Sequence, residues 1–420
     1  MRNLKQRRIP GLRQRTISAV LALAVVFELA VTASSLAQAQ TYSETTLFVF
    51  SNCSLDGCWA NMSLLPDAAG NLYGTTMRGG SNGGLGTVFE IDSAGTEIVL
   101  YGFTGNADGS EPNPGLVADK AGNFYGTTLF GGGSGQGTVF KVSKQGKETV
   151  LMSFDGKNGS VPAAGLVVDA AGNLYGTTTA GGYNGENGYG TVFKVSNSGK
   201  ETLLYQFRGG SDGRAPGGPL IRDDKGNLYG TTVAGGASGN CDCGTVFKLS
   251  PPKKSGGRWT ERVLHIFDAH DGQDGSEPYA GLVRDVDGNL YGTTAYGGTY
   301  GYGTVFKLTK GGKETVLHSF TGNDGENPYS GLVRDSSGNL YGAATYGGIN
   351  NCNDENGDLG CGTVFKVDTH GKETVLYSFT GGTDGAYPLY GNLLRDAEGN
   401  LYGATCGCPG NTSLIFKLVP

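Results

Sequence analysis

Histidine, tryptophan and charged residues are scarce in this chain. Its 420 residues include four histidines and two tryptophans, and 17% of them are charged. There is no His-x-His pair, no zinc-ligand spacing, no phosphate-binding glycine loop before a helix and no nucleophile elbow. After residue 39 there is no helical periodicity either, which excludes a helical or α/β fold. The sequence therefore predicts no cofactor, no metal site and no catalytic residue.

Long apolar runs are also missing, with one exception near the amino end. Six basic residues precede a mostly apolar run at 17–31. Ala37-Gln38-Ala39 then has the small-x-small pattern of a signal-peptidase site. The run is too short for a membrane-spanning helix. We expect residues 1–39 to be a cleaved secretory signal peptide. Residues 40–420 should then form a single domain, secreted or periplasmic, without a membrane span.

The charge balance narrows the class of partner. Residues 1–39 contain six basic residues and one acidic residue, so their removal changes the formal charge from −6 to −11. Such an acidic chain is a poor partner for nucleic acid or for an anionic membrane. We therefore expect neither as a ligand.

Cysteine is not scarce, and its use fits export. Eight cysteines in an exported chain indicate disulfides rather than metal thiolates. The candidates are Cys53, Cys58, Cys241, Cys243, Cys352, Cys361, Cys406 and Cys408.

Glycine is abundant, with 76 residues, and much of it belongs to a repeat. The motif Asn-[Leu/Phe]-Tyr-Gly recurs seven times at intervals of 50–62 residues. Its asparagines are Asn71, Asn123, Asn173, Asn227, Asn289, Asn339 and Asn400. One unit shows four strand-like runs, which we name A (331–335), B (339–343), C (362–367) and D (373–379). Short glycine-containing turns join A to B and C to D, as in β-hairpins.

The strands and the termini together predict a closed ring. Val364, Phe365 and Val367 place apolar side chains on both faces of strand C, so each small sheet must be covered on both sides. Residues 44–50 match strand D, and residues 413–418 match strand C. An open solenoid would not need this permutation. We therefore predict an all-β fold, a seven-bladed β-propeller of four-stranded antiparallel blades, closed by the N-terminal strand completing the last blade.

Strand polarity sorts the loops into two faces. The D–A and B–C loops share one face, and the A–B and C–D hairpins share the other. Cys53 and Cys58 should lie in the D–A loop leaving the seventh blade, and Cys406 and Cys408 in its B–C loop. Cross-pairing of these four would tie down the N-terminal strand, typically worth about 2–4 kcal/mol. Pairing of Cys53 with Cys58 inside their own loop is the alternative, and Cys352 and Cys361 could likewise close one loop.

The order of these motifs resembles a known repeat family. The string Gly-Leu-Val-x-Asp-x-x-Gly-Asn-Leu-Tyr-Gly-Thr-Thr is followed by a glycine doublet, Gly-Thr-Val-Phe-Lys and Lys-Glu-Thr-Val-Leu-Tyr-Ser-Phe. It is similar to the GloVer tandem repeat of bacterial exported proteins, over nearly all of residues 44–420. The resemblance implies export and a repeat β architecture, and it implies no catalytic residue. Unlike anchored members, this chain shows no sorting tail.

Five D–A loops contain the pattern Asp-Gly-x-x-Pro. It begins at Asp108, Asp212, Asp274, Asp324 and Asp384. A ring of carboxylates could bind calcium, but repetition in nearly every blade favours a turn. In that turn, aspartate caps backbone amides, glycine takes the left-handed conformation and proline fixes the exit. The acidic segment 353–358 comes nearest to a calcium loop, and a solvated loop tip is the simpler interpretation.

Two other sets of residues have structural interpretations. His265 and His318 take the strand D position that Tyr205 and Tyr377 hold in other units, so packing is their simplest role. Four arginines precede the hairpin aspartate in consecutive blades and could form a basic arc. They are Arg222, Arg284, Arg334 and Arg395. Ion pairs with the neighbouring hairpin aspartates are the favoured interpretation.

Tyrosines on the D–A/B–C face are the best candidates for ligand binding. Those in the glycine-rich B–C loops are Tyr183, Tyr189, Tyr296, Tyr300, Tyr302 and Tyr346. The D–A loops add Tyr279, Tyr329, Tyr387 and Tyr390 on the same face. Exposed tyrosines among small polar residues suit stacking on sugar rings or flat peptide contacts. Filling of gaps between blades is the alternative.

These observations favour a monomeric, exported, non-enzymatic binding module for a polysaccharide or an extracellular or envelope protein. The second hypothesis is a glycan-active hydrolase or lyase on the same face, since propellers host such enzymes. A structural extracellular spacer is the third. No acid–base pair in the sequence singles out the enzyme.

Overall fold

A computed structural model describes residues 42–236, 241–254, 256–268, 274–349, 352, 360–406 and 413–420. The expected signal peptide, the acidic segment 353–358 and Cys408 lie outside the described residues. The described chain is built almost wholly of β-strands, with one short 3₁₀ helix at Gly185–Asn187. It contains no helix with the length and apolarity needed to cross a membrane.

Four strands recur in each of seven blades, as the sequence predicts. The A strands are Leu65–Pro66, Val117–Ala118, Val167–Val168, Ile221–Arg222, Val283–Arg284, Val333–Arg334 and Leu394–Arg395. The B strands are Leu72–Arg78, Phe124–Phe130, Leu174–Thr178, Leu228–Thr232, Leu290–Thr294, Leu340–Ala344 and Leu401–Cys406. The C strands are Thr87–Ile91, Thr138–Val142, Thr191–Val195, Thr245–Ser250, Thr304–Leu308, Thr363–Val367 and Ser413–Val419. The D strands are Glu97–Gly102, Glu148–Ser153, Glu201–Gln206, Thr260–Ile266, Glu314–Ser319, Glu373–Ser378 and, in blade 7, Ser43–Val49.

Short extra strands extend the sheets on the loop face. Cys58–Ala60 pairs with strand B of blade 1, and Ser110–Pro112 pairs with strand B of blade 2. In blade 5, Gly275–Ser276 pairs with Tyr296–Gly297. Elsewhere each sheet keeps the order A-B-C-D.

The ring is closed by the two ends of the chain. Ser43–Val49 runs antiparallel to Ser413–Val419, with Glu44 opposite Leu418 and Val49 opposite Leu414. The Phe50 amide adds a hydrogen bond of 3.0 Å to the carbonyl of Ser413. The predicted completion of the last blade by the N-terminal strand is therefore confirmed, and with it the seven-bladed propeller.

The glycine of the repeated Asn-x-Tyr-Gly motif makes room for the core. A Cβ atom on Gly176 would lie 2.6 Å from Cζ of Phe193 and 2.9 Å from a methyl group of Leu166. Phe193 itself is fully buried. The same clash with the strand C phenylalanine occurs at the equivalent glycine of every blade: Gly74, Gly126, Gly176, Gly230, Gly292, Gly342 and Gly403. The motif keeps glycine because the aromatic ring packs directly on the strand B backbone.

The A–B hairpin explains the rest of the motif. In blade 3 the carboxylate of Asp169 accepts hydrogen bonds from the Asn173 amide at 2.9 Å, the Asn173 side chain at 2.8 Å and the Tyr175 hydroxyl at 3.0 Å. All seven hairpins repeat this arrangement. In blade 2, hydrogen bonds from Asn123, Tyr125 and a backbone amide outweigh the desolvation of Asp119, and its pKa falls to about 2. The repeated Asp, Asn and Tyr are therefore a structural unit.

Disulfides are present, but the expected cross-pairing at the seam is wrong. Cys53 bonds to Cys58, whose Cα atom is 4.9 Å away in the same loop, so neither is free to reach strand B of blade 7. Two further pairs form within single loops, Cys241 with Cys243 and Cys352 with Cys361. Cys406 is disulfide-bonded too. The N-terminal strand is thus held by its hydrogen bonds and packing rather than by Cys53 or Cys58.

Candidate functional site

The D–A loops build one rim of the ring, and their aspartates cap turns as expected. Asp384 accepts hydrogen bonds from the Thr380 amide at 2.9 Å and the Tyr377 hydroxyl at 2.9 Å. Asp108 does the same with Thr104 at 2.8 Å and Tyr101 at 2.9 Å. These carboxylate oxygens serve their own loops, so the turn interpretation of Asp-Gly-x-x-Pro is confirmed.

A second left-handed residue in these loops was not foreseen from the sequence. The residue before the loop proline has a φ of +49° to +57° in six blades. These residues are Glu111, Val161, Ala215, Glu277, Asn327 and Tyr387. Each donates its amide to a carbonyl in the preceding blade's B–C loop, as Ala215 does to Tyr189 at 2.9 Å. This conformation therefore joins consecutive blades around the rim.

The D–A loops and the B–C end of strand B enclose an axial cavity of about 440 Å³. Residues from all seven blades line it, just before each strand A begins. One lining position is equivalent in every blade, three residues before the leucine that leads into strand A. In chain order it holds Asn61, Asn113, Ala163, Gly217, Tyr279, Tyr329 and Tyr390. The seven-fold repeat is therefore broken here, with three consecutive tyrosines on one side of the cavity.

These tyrosines and Tyr296 form what we call the tyrosine cluster. The ring centroids of Tyr279 and Tyr329 are 5.2 Å apart, and those of Tyr329 and Tyr390 are 6.0 Å apart. The hydroxyls of Tyr296 and Tyr329 share a hydrogen bond of 2.7 Å. The Tyr279 hydroxyl donates to Oε2 of Glu277 at 3.1 Å. The cluster is thus a continuous aromatic wall with hydroxyls held by specific partners.

The opposite wall of the cavity is smaller and its polar groups are occupied. Asn61 donates to the carbonyl of Pro112 at 3.2 Å and to the Thr75 hydroxyl at 2.9 Å. Asn113 bonds in the same way to Pro162 and Thr127. On this wall the side chains therefore link neighbouring blades.

The electrostatics of the cavity are neutral. Burial and then the hydrogen bond to Tyr296 raise the pKa of Tyr329, and burial and then the nearby Glu277 charge raise the pKa of Tyr279. Both phenols stay protonated at physiological pH. Within the described lining there is no carboxylate, imidazole, amine, guanidinium or thiol. The cavity can offer aromatic faces, hydroxyls, amides and apolar carbon to a ligand.

The tyrosines singled out from the sequence divide into three groups. Tyr183 and Tyr300 are the most exposed, at 65% and 59%, while Tyr302 is exposed at 37%. Tyr296, exposed at 39%, belongs to the cluster. Tyr189 packs within the core between blades 3 and 4, and Tyr346 packs against Tyr387 with ring centroids 5.5 Å apart. For Tyr189 and Tyr346 the packing alternative is therefore supported.

The sequence places the cavity tyrosines on the D–A/B–C face, but it does not show that they lie next to one another. Tyr279, Tyr329 and Tyr390 are more than 40 residues apart, and rotation about the ring axis brings them together. The signal that finds them is their constant offset from the leucine before strand A. Comparing the seven units at that offset shows the three tyrosines against smaller residues.

At the other end of the axis lie arginines, but not in the expected ion pairs. Arg222, Arg284 and Arg334 line a cavity of about 550 Å³. The guanidinium carbon of Arg284 is 6.0 Å from the ring centroid of Tyr229 in the preceding blade, and equivalent contacts follow at Arg222, Arg334 and Arg395. In the described chain, no direct ion pair involves these four arginines. The ion-pair prediction is wrong because the hairpin aspartates already accept hydrogen bonds from asparagine and tyrosine.

The strand D histidines replace tyrosine in both packing and hydrogen bonding. His318 packs edge-on against Phe320, with ring centroids 4.9 Å apart, as Tyr377 packs against Phe379. Nε2 of His318 lies 3.0 Å from Asp324, and Nε2 of His265 lies 3.1 Å from Asp274. The packing interpretation is confirmed, and the shared contact is the loop aspartate.

The fold and the cavity define a closed seven-bladed β-propeller with an asymmetric, tyrosine-lined axial cavity. The family model of the Gloeobacter/Verrucomicrobia repeat matches residues 25–186 and 169–354. The chain therefore belongs to this repeat family, which confirms the resemblance seen in its motifs.

Solved structures with a similar fold come from several functional settings. The extracellular domain of a hybrid two-component system from B. thetaiotaomicron matches with a TM-score of 0.56 at 13% identity, covering 90% of this chain and 41% of that one. That of a one-component system from the same organism matches with a TM-score of 0.54 at 13% identity, covering 87% and 39%. A 6-phosphogluconolactonase structure from Bacteroides uniformis matches with a TM-score of 0.51 at 15% identity, covering 80% and 88%.

These matches establish the propeller fold alone. This chain spans about two-fifths of the length of the two extracellular domains. Comparison with curated protein sequences finds no match.

Proposed function

We propose that this chain is an exported, non-enzymatic binding module that recognises a polysaccharide at the axial cavity of the loop face. The observation that carries the proposal is the break in seven-fold symmetry. A position filled by small or amide side chains in four blades holds tyrosine in the next three. Seven blades fold with either kind of residue there, so the tyrosines serve something other than the repeat.

The chemistry of the cavity suits a sugar. Aromatic faces with polar edges stack on the apolar face of a pyranose ring, while hydroxyls and amides meet its hydroxyl groups. A concave space of about 440 Å³ accommodates a short oligosaccharide or a chain end. An envelope protein would need a contact of roughly 1,000 Å² or more, far beyond the cavity mouth. Tyr300 and Tyr302 are exposed and are available at the rim for neighbouring sugar units.

Several observations support export. The N-terminal pattern, the loop disulfides and the likeness to extracellular sensor domains all agree with a secreted or periplasmic protein.

A glycan array on residues 40–420 tests the proposal, followed by affinity measurements on the best ligand. Tyr390→Ala and Tyr329→Ala remove parts of the aromatic wall and should weaken binding at least about tenfold, since buried tyrosines dominate such contacts. Tyr183→Ala is the matched control, because Tyr183 is exposed at 65% and lies outside the cavity lining. It should retain most of the affinity.

The other outcomes separate the rival functions. Turnover of a glycan would favour the hydrolase or lyase. Binding that survives both cavity substitutions would move the site elsewhere on the face and contradict the proposal. Absence of both binding and turnover would favour a structural spacer or a protein partner.

A further inference from the structure

Three side chains from two blades converge at the outer edge of the ring. His318 lies on strand D of blade 5, Asp324 in the loop that follows, and Glu373 at the start of strand D in blade 6. One ligand-type atom from each residue lies within 4.8 Å of the other two. Nε2 of His318 and Oδ2 of Asp324 are 3.0 Å apart. In the described part of the chain, this is the one group of three such residues that meets so closely.

One carboxylate oxygen of Glu373 lacks a hydrogen-bond partner among the described residues. This atom, Oε1, is buried. The carboxylate of Asp324 lies within 4.8 Å of the Glu373 carboxylate. A buried, unpaired carboxylate oxygen beside a second carboxylate is costly unless a proton or a cation stands between them.

The aspartate is held in place from outside the group. Its Oδ1 atom accepts hydrogen bonds from the Thr321 amide at 2.8 Å and the Thr321 hydroxyl at 2.9 Å. Such contacts orient a metal-ligating carboxylate and leave Oδ2 directed at the histidine.

Other blades show what the histidine adds. At the equivalent position Tyr377 donates its hydroxyl to Asp384 at 2.9 Å. A protonated phenol is a poor ligand, whereas a neutral imidazole presents a lone pair to a metal ion. The strand D glutamates of four other blades, Glu97, Glu148, Glu261 and Glu314, also have an unpartnered Oε1 atom. What distinguishes Glu373 is therefore the close approach of its carboxylate to both His318 and Asp324.

We infer that His318, Asp324 and Glu373 form a binding site for a divalent transition-metal ion that bridges blades 5 and 6. One imidazole and two carboxylates suit Zn²⁺ and its neighbours, with water completing the coordination. A tetrahedral ion needs donor atoms about 3.3 Å apart, so the group requires only small side-chain movements. The sequence alone predicts no metal site, because these residues follow no metal-binding spacing. The inference is independent of the proposed polysaccharide binding.

Titration of Zn²⁺ into the chelator-treated exported chain tests this site, followed by calorimetry and, with Co²⁺, by visible absorption. The wild-type chain should bind one equivalent and show the ligand-field bands of a low-coordinate Co²⁺ site. His318→Tyr installs the residue found in other blades and should weaken binding at least about tenfold while the fold is kept. Glu373→Gln should also weaken binding, and it serves as the second variant if the first unfolds at a lower temperature.

Two matched controls locate the metal. His370→Tyr changes a histidine whose side chain is 88% exposed, and His265→Tyr changes the equivalent residue of blade 4. Both should bind the metal as the wild type does. Lack of binding by the wild type would overturn the inference. Binding that is insensitive to both His318→Tyr and Glu373→Gln would overturn it as well.

Discussion

The two ends of strand A differ in how strictly the seven blades repeat. At the A–B hairpin, an aspartate holds an asparagine and a tyrosine in every blade, with the same donors and nearly the same distances. At the other end, the equivalent position changes from asparagine, alanine or glycine to tyrosine in blades 5–7. The comparison teaches that the conspicuous sequence motif is structural, and that the proposed binding site lies where the repeat is broken.

Substitutions of strictly repeated residues should lower the free energy of unfolding. Gly176→Ala places a methyl group 2.6 Å from the buried ring of Phe193, and neither the ring nor the strand can move freely. Overpacking of this kind costs about 1–3 kcal/mol. Denaturant unfolding of the variant should show that loss, while affinity for the polysaccharide should change little.

Gly133→Ala is the control for that substitution. Its added methyl group would meet no atom within 4 Å, and its φ does not require glycine. It should leave the free energy of unfolding almost unchanged. Equal losses in the two variants would mean that strand B glycine is not required by the packing of the strand C phenylalanine.

Removing backbone strain from a D–A loop should raise the free energy of unfolding, by less than the Gly176→Ala substitution lowers it. Val161 has a φ of +52°, which a β-branched residue adopts at a cost of roughly 1–2 kcal/mol. Val161→Gly removes that cost but makes the unfolded chain more flexible, so we expect a net gain of about 0.5–1 kcal/mol. Thermal unfolding measures it. Ala215→Gly, without a branched side chain at the same loop position, should gain less, and a larger gain there would contradict the strain account.

The pH dependence should distinguish the hairpins from the blade interfaces. Hydrogen bonds to Asp119 lower its pKa from 3.8 to about 2, so its stabilisation is present above pH 3.8 and is lost as the pH falls towards 2. Burial and then the Asp108 charge raise the pKa of Glu148 from 4.5 to about 7, so its contribution is favourable below pH 4.5 and is lost as the pH rises towards 7. The melting temperature should therefore fall from pH 5 to pH 7. Glu148→Gln should make that slope shallower, which is the smallest of these effects, and an unchanged slope would contradict the assignment.

Much of the fold could be predicted because the same sequence pattern recurs in seven units. Strand boundaries, hairpins and ring closure follow from apolar runs, glycine positions and the permuted termini. The pre-proline residues could not be predicted, since a residue before proline normally avoids the left-handed region, and here inter-blade hydrogen bonds hold it there. Cys53 and Cys58 were misassigned because both arrangements satisfied the loop topology, and only the folded chain shows their Cα atoms to be 4.9 Å apart.

The sequence predicts the face and the residue type of the candidate site, but not which tyrosines come together in it. The sequence placed tyrosines on the correct face, whereas their grouping depends on rotation about the ring axis. Tyr189 and Tyr346 look like Tyr300 in sequence, yet they pack inside the ring while Tyr300 is 59% exposed. The contacts of each side chain, rather than its residue type, decide whether it fills a gap between blades or stays exposed.

The most direct measurement is a crystal structure of residues 40–420 with the oligosaccharide that binds most tightly. We predict electron density for a sugar ring inside the axial cavity, stacked on the wall formed by Tyr279, Tyr329 and Tyr390. A sugar held only on the arginine side of the ring, or along its outer edge, would contradict the assignment of the tyrosine cluster as the recognition surface.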